Sequence, residues 1–392
     1  MLFLNTEFGL YFSNDGGQNW VLYKSRFPEY VAVHDLVIQP ATNDLVVGTH
    51  GRGIFIIDDI SPLRRMTPEL LERDVALLPT RPTAVTTGHY GQAFPNTDSY
   101  AGPNAPESAV IQYYLKDRLN TGDVTIEVYD PSGKLLVSMP GTKRKGINMV
   151  RWEMRVTPPK AAKGVLVQGE PGVYAGFVGQ MALPGTYAIK LKAGDFTDEG
   201  RLVLVPDPLQ PELDYSARRD VSDKLFRMVE SLGLLVAQVQ SLKDNADQRA
   251  KESKDKRLKN SLLQYSSNLE SFRKTLTETI ESSGITGEKQ LRARIGRLYL
   301  FTEISDELPT QSILDAMVAL QEELQNAQSK ADTFFGKDLN TLNNGLKKEK
   351  LAPLVVIDRV QFEKDYGKVS APGTGKGQDW RQMMESFDGT RD

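Results

Sequence analysis

The chain contains no cysteine and only three histidines in 392 residues. The missing thiols exclude disulfides, thiolate metal sites and cysteine nucleophiles together, so packing alone must hold the fold. The histidines stand at 34, 50 and 89, and no pair has metal-ligand spacing, so neither metal nor cofactor is expected. An excess of charge of one sign is missing too. Lysine and arginine number 48 against 51 acidic residues, a net charge of -3, and the signs are interspersed. Such a surface makes no field for nucleic acid or an anionic membrane. No apolar run approaches the roughly 18 to 20 residues that cross a bilayer, so no membrane span is expected. Met1-Leu2-Phe3-Leu4 has neither the length nor the basic flank expected of a signal peptide.

What is present changes character along the chain. Domains usually hold about 100 to 200 residues, so two to four folding units are expected. From Leu2 to Ile60 six short runs rich in branched and aromatic residues alternate with turn signals: Leu2 to Asn5, Gly9 to Ser13, Trp20 to Lys24, His34 to Gln39, Asp44 to Thr49 and Gly53 to Ile57. Their length and spacing predict antiparallel strands.

The turn between the second and third runs reads Ser13-Asn14-Asp15-Gly16-Gly17-Gln18-Asn19-Trp20. A short carboxylate there can accept hydrogen bonds from amides of its own turn, and the glycines can take positive φ. Ser13, Asp15, Gly17 and Trp20 fit S-x-D-x-G-x-x-W, the Asp box, which recurs in β-propellers of the sialidase, sortilin and xyloglucanase kinds. Gly48-Thr49-His50-Gly51-Arg52-Gly53-Ile54-Phe55-Ile56-Ile57-Asp58-Asp59 resembles the closing blade of large bacterial sortilin-like proteins often labelled glycosyl hydrolases. The stretch from Asn104 to Leu115 is similar to the segment with which those proteins enter the next domain. The resemblance covers Met1 to Pro208, strongest in these three stretches. It implies a partial propeller of one to two blades over residues 1–62. Three runs precede the break at Phe27-Pro28 and three follow it, which leaves the ring incomplete. Met1 is therefore expected to be an internal or truncated start, with the upstream blades of the full-length protein as partners.

Residues 63–107 read as a linker, with a helical turn after Pro68 and a strand at Val75 to Leu78. Over 108–206 strands are predicted at Val110 to Leu115, Val124 to Tyr129, Leu135 to Val137, Asn148 to Glu153, Gly185 to Leu191 and Leu202 to Val205, the spacing of an Ig-like β-sandwich. Gly146-Ile147-Asn148-Met149-Val150-Arg151-Trp152 and Leu183-Pro184-Gly185-Thr186-Tyr187 look like the hook-capping type of that domain.

After Pro208 the period changes. Val221, Leu225, Met228, Leu232, Leu235, Val239 and Leu242 form one narrow stripe, and Leu258, Leu262, Tyr265, Leu269, Phe272 and Leu276 form a second, with the charged stretch Lys243 to Lys259 bridging them. Further helices are predicted from Glu288 to Ile304 and from Thr310 to Phe334. An antiparallel helical bundle over 214–350 follows, its stripes closing within one chain or by self-association between two. Over 351–392 a short strand, Leu354 to Ile357, is expected to return to the sandwich, followed by a flexible tail.

Chemistry has few footholds. Glycosidases need two carboxylates about 5 to 10 Å apart. Glu7, Asp35, Asp58 and Asp59 are available, but nothing in the sequence fixes a pair, and no catalytic residue is assigned. His50, Arg52 and Asp58 make the candidate ligand-facing loop: His can titrate and Arg can grip a carboxylate or phosphate through two hydrogen bonds. The same loop also reads as a glycine turn with Arg52 paired to Asp58 or Asp59. Gly373-Thr374-Gly375-Lys376-Gly377 lacks the strand and helix of a phosphate loop. Trp152 is expected in a core, and at most one of Tyr113 and Tyr114 faces solvent.

The function expected is that of a non-catalytic binding or scaffolding fragment of an extracytoplasmic β-propeller protein, whether periplasmic, cell-surface or secreted, with a protein or glycan ligand. The alternative is the C-terminal accessory part of a xyloglucanase- or sialidase-like glycoside hydrolase whose catalysis lies in other blades.

Overall fold

The computed structural model describes residues 1–25, 27–86, 108–163, 171–208, 214–278, 289–305 and 307–366. His89, the glycine-rich tail and most of the predicted 63–107 linker's second half lie outside them. The chain mixes several β-sheets with eight helices among the described residues. It divides into two compact units: 1–85, 106–154 and 184–207 form the first, and 86–105, 155–183 and 208–392 the second.

In the first unit, β1 (Leu2–Thr6), β2 (Gly9–Ser13) and β3 (Val21–Leu22) form one antiparallel sheet, and β4 (Val33–Gln39), β5 (Asp44–Thr49) and β6 (Ile54–Ile57) form another. All six predicted runs are strands, and the break at Phe27-Pro28 separates the two sheets. One shared core of Leu10, Phe27, Val31, Val33, Leu45, Val47 and Ile60 lies between them. The Asn5 side chain ties the sheets together, donating to the carbonyls of Val33 and His34, each at 3.2 Å.

Two short helices follow, α1 (Ser61–Arg64) and α2 (Pro68–Leu71); Thr67 caps α2 by accepting from Leu70 N at 3.3 Å, with Pro68 at its first position. The region read as a linker is in part built into sheets. Strand β7 (Val75–Leu77) pairs antiparallel with β9 (Ala109–Leu115), and β8 (Thr83–Ala84) runs parallel to β14 (Phe196–Val205). With β10 (Val124–Tyr129), β11 (Leu135–Pro140), β12 (Gly146–Trp152) and β13 (Gly185–Ala193), two further sheets result, ordered β11-β10-β13-β14-β8 and β12-β9-β7. Trp152 of the smaller meets Tyr187 of the larger edge to face at 5.6 Å. Both Tyr113 and Tyr114 are buried: Tyr113 donates to Thr142 O at 2.5 Å, while Tyr114 packs beside Met66 and Leu70, so neither face of β9 is open there.

The second unit is built on α3 (Tyr215–Glu252), a 38-residue helix about 57 Å long. Asp214 caps it by accepting from Ser216 N at 3.0 Å and Ala217 N at 3.1 Å. All seven residues of the predicted stripe are buried. The helix continues through the charged stretch because Ala246 and Ala250 extend the buried line while Lys243 pairs with Asp247 outside. Only Ser253 to Asp255 interrupt it, and Asp255 caps α4 (Lys256–Thr277). Then come α5 (Leu291–Ile304) and α6 (Gln311–Thr333), which passes through a π-helical turn, Phe334–Asp338, into α7 (Leu339–Lys348); α8 (Arg359–Tyr366) ends the described chain. The stripes of α3, α4, α5, α6 and α7 close within the one chain around a single core. At about 1.5 to 3 kcal/mol per buried Leu, Val or Met, this is the main driving force for the unit.

Two expectations are corrected here. Leu354 to Ile357 forms no strand and joins no sheet. It lies extended against helices, with Leu354 buried in their core and held by Asn343, whose side chain accepts from Leu354 N at 2.8 Å and donates to Leu354 O at 3.0 Å. And residues 155–183, placed inside the sandwich by their position between predicted strands, belong to the helical unit. There they include a 3-10 helix, Pro171–Phe177.

Candidate functional site

The Asp-box turn is a closed hydrogen-bonding system. Ser13, buried at the end of β2, donates its hydroxyl to Asp15 Oδ1 at 2.7 Å and accepts from Gly17 N at 2.9 Å. Asp15 also accepts from Asn19 N at 3.0 Å and from the Asn19 amide at 2.7 Å. Gly16 and Gly17 sit at φ 76° and 96°, where a side chain would be strained. Trp20 and Leu2 both lie close to Gly17, and Trp20 remains 38% exposed. The donation from Asn19 N, then the bonds from Ser13 and the Asn19 side chain, hold the Asp15 carboxyl far below the usual carboxylate range. Asp15 thus stays ionised where ordinary carboxylates protonate and is internally satisfied, which suits a turn support.

The second candidate is the loop from Gly48 to Gly53. Gly51 and Gly53 take φ 76° and 77°, and Thr49 closes the hairpin by donating N–H and hydroxyl to Gly53 O at 3.1 and 2.6 Å. His50 N donates to Ala32 O at 2.9 Å, which brings its ring onto His34, centroids 5.1 Å apart and planes inclined by 29°. His34 is a residue that sequence reasoning did not place here. The signal available was the β4–β5 register, which sets Val33 opposite Thr49. His50 and Arg52 share this exposed rim, but Asp58 follows β6 at its other end, about 20 Å along an extended chain. The structure does not bring Asp58 to the loop, nor Arg52 to either aspartate. Asp59, at φ 44°, accepts from Ser61 N at 3.1 Å and gives its own N–H to Asp44 at 2.8 Å. Asp35 accepts from Leu36 N at 2.9 Å, and Glu7 stands in the β1–β2 turn. Among the described residues no group of three or more His, Asp or Glu is placed to hold a metal.

A third cluster, buried in the helical unit, carries no sequence signature. Glu303 on α5 is 1% exposed. Its carboxylate accepts from Met181 N at 2.9 Å and from the Ser222 hydroxyl, and it pairs with Arg155 at 3.5 Å. Arg155 also donates to Gly179 O at 2.9 Å and to Glu303 O at 3.1 Å, and Arg218 donates to the Thr302 and Glu303 carbonyls, both at 3.1 Å. Two guanidinium groups thus cap the C-terminal end of α5, where carbonyls lack helical partners. Gln180 completes the cluster, donating to Ser222 at 2.8 Å and Asp223 at 2.8 Å. Every group is engaged, and the cluster fastens residues 155–183 to α3 and α5.

Among the described residues no helix is long and apolar enough to cross a membrane. No family model matches the chain, and no curated protein matches it. Among solved structures, the dimeric latent PorU from Porphyromonas gingivalis is similar over 42% of this chain and 12% of its own, at 13% identity and a TM-score of 0.20. The chain therefore spans about an eighth of that protein, and a likeness at this level carries no argument for fold or function.

Proposed function

We propose that this chain is a non-catalytic binding and scaffolding part of an extracytoplasmic β-propeller protein: terminal blades, an Ig-like sandwich and an antiparallel helical bundle. One observation carries the reading. The sheets β1-β2-β3 and β4-β5-β6 share a core on their inner faces, yet both outer faces are apolar as well. Leu2 and Leu4 lie exposed beside Tyr11 and Leu22 on one. Val37, Ile54 and Ile56 lie exposed around Val46 on the other. A sheet that is apolar on both faces is suited to lie between two neighbours, as blades do around a ring, and contiguous exposed apolar surface marks an interaction site. The neighbours that fit are the other blades of the same full-length protein.

The test mixes this chain with the upstream part of its own protein and with a panel of glycans. Association with the upstream part, lost in Val37→Lys and Leu4→Lys, supports the scaffold; absence of binding to both kinds of partner overturns it.

The Asp box favours a second reading, an accessory part of a glycoside hydrolase with its catalytic carboxylates in other blades. Turnover of β-glucans or sialosides by the full-length protein, abolished by an upstream carboxylate substitution, would select it. Both readings place any hydrolysis in other blades, and Asp15, held by its own turn, is not offered as an acid or base.

A further inference from the structure

We infer that the free edge of β6 is a strand-acceptor site, taking an extended, uncharged polypeptide segment with apolar residues on both of its faces. The inference rests on the ring reading above and names one contact within it. Among the described residues strand β6 ends its sheet, whose order is β4-β5-β6. The pairing with β5 sets Val47 opposite Phe55 and Leu45 opposite Ile57, and Thr49 N donates to Gly53 O at 3.1 Å. Antiparallel pairs alternate between hydrogen-bonded and open. Since Thr49 and Gly53 form a bonded pair, Val47–Phe55 and Leu45–Ile57 are bonded too. The N–H and C=O groups of Ile54 and Ile56 therefore point away from β5, toward the open edge.

The edge strand is short, at four residues, but carries none of the charge, proline or bulge that also guard natural edges. The strand is Ile-Phe-Ile-Ile, with Arg52 before it and Asp58 after. The opposite edge of the same sheet is different: the Asn5 side chain occupies the carbonyls of Val33 and His34 on β4. The occupant's chemistry follows from the two faces it would extend. On the outer face its side chains would stand beside Ile54 and Ile56, 73% and 61% exposed, and on the inner face beside Phe55 and Ile57, which pack on the shared core. Because successive side chains of a strand face opposite sides, apolar residues at successive positions are needed to meet both requirements, and backbone groups supply the binding, as in strand addition generally.

The outward direction of Ile56 N–H gives a sharp test. Proline at 56 removes an edge donor without breaking the β5–β6 ladder, whereas threonine keeps the donor. The probe is an N-terminally labelled peptide, fluorescein-Val-Ile-Val-Ile-Val-Thr-amide, followed by anisotropy with the full chain. Saturable binding is expected for the wild type and within about threefold for Ile56→Thr, and binding about tenfold weaker for Ile56→Pro. Circular dichroism verifies that Ile56→Pro is folded, and Ile54→Pro, the other outward donor, replaces it if it is not. Equal binding by the proline variant, or no saturation by wild type, overturns the inference. A wild-type dimer that Ile56→Pro dissociates also overturns it, by assigning the edge to a second copy. Val37→Lys separates the two readings, because it should abolish association with the upstream part and leave peptide binding intact.

Discussion

Replacing Glu303 by alanine removes a buried carboxylate from the helical unit. The carboxylate is 1% exposed and holds three partners: Arg155 at 3.5 Å, Met181 N at 2.9 Å and the Ser222 hydroxyl. Its removal takes the Glu303 carboxylate away from the Arg155 guanidinium, itself only 8% exposed. Breaking a buried pair from one side costs about 3 to 5 kcal/mol, because the surviving charge stays buried. The orphaned Met181 N–H alone accounts for about 1 to 3 kcal/mol of that. Ser222→Ala removes a donor and leaves Glu303 with its other partners, so about 1 kcal/mol is expected. Glu303→Gln keeps the shape and one acceptor and should fall between. Urea denaturation followed at 222 nm reports this unit, since α3 to α8 all lie in it. A loss below about 1 kcal/mol for Glu303→Ala, or a larger loss for Ser222→Ala, would refute the clasp.

Gly233→Ala should destabilise the same unit by about 1 to 3 kcal/mol, since a Cβ there would lie 2.1 Å from Lys160 O; thermal melting checks it. Gly336→Ala, with nothing within 4 Å of its Cβ position, should raise stability by about 0.5 to 1 kcal/mol. In the first unit, Trp152→Ala should cost about 3 to 5 kcal/mol, read from near-ultraviolet circular dichroism, because the indole is buried against Tyr187. Asp15 has its pKa depressed on folding, so its contribution is complete above the unfolded carboxylate value of about 3.9 and fades as pH falls below that toward the folded value. In an NMR titration its carboxylate should remain ionised after exposed carboxylates have protonated, and the stability gap between wild type and Asp15→Asn should shrink only in that acidic range.

Strands and helices were legible where one physical signal dominated. β2, β5 and β10 have the bounds their alternation predicted, and the stripe from Val221 to Leu242 is buried throughout. Continuation of α3 to Glu252 was hidden because Ala246 and Ala250 are too small to stand out among charges. Leu354 to Ile357 has strand-forming composition, but a side chain of α7 satisfies its backbone before any sheet can. The membership of residues 155–183 was not readable at all. It depends on Gly172 and Gly296, whose Cβ positions each come within 1.9 Å of a carbonyl across the contact, and on polar groups that pair only once the chain is folded. At the candidate loop, the reach of β6 that separates His50 and Arg52 from Asp58 required strand bounds.

The path of the backbone at Met154 and Leu183 has a practical meaning. Because a 29-residue excursion from the strands supplies part of the lining of α3 and α5, the helices are not a detachable appendix. A fragment beginning at Pro208 would carry Glu303, Arg218 and Ser222 but none of the groups that neutralise and cover them from the other side. Such a fragment should be helical yet loose, prone to proteolysis and self-adhesion. Trimming this protein for study must therefore keep the stretch from Arg155 to Leu183, or supply it in trans.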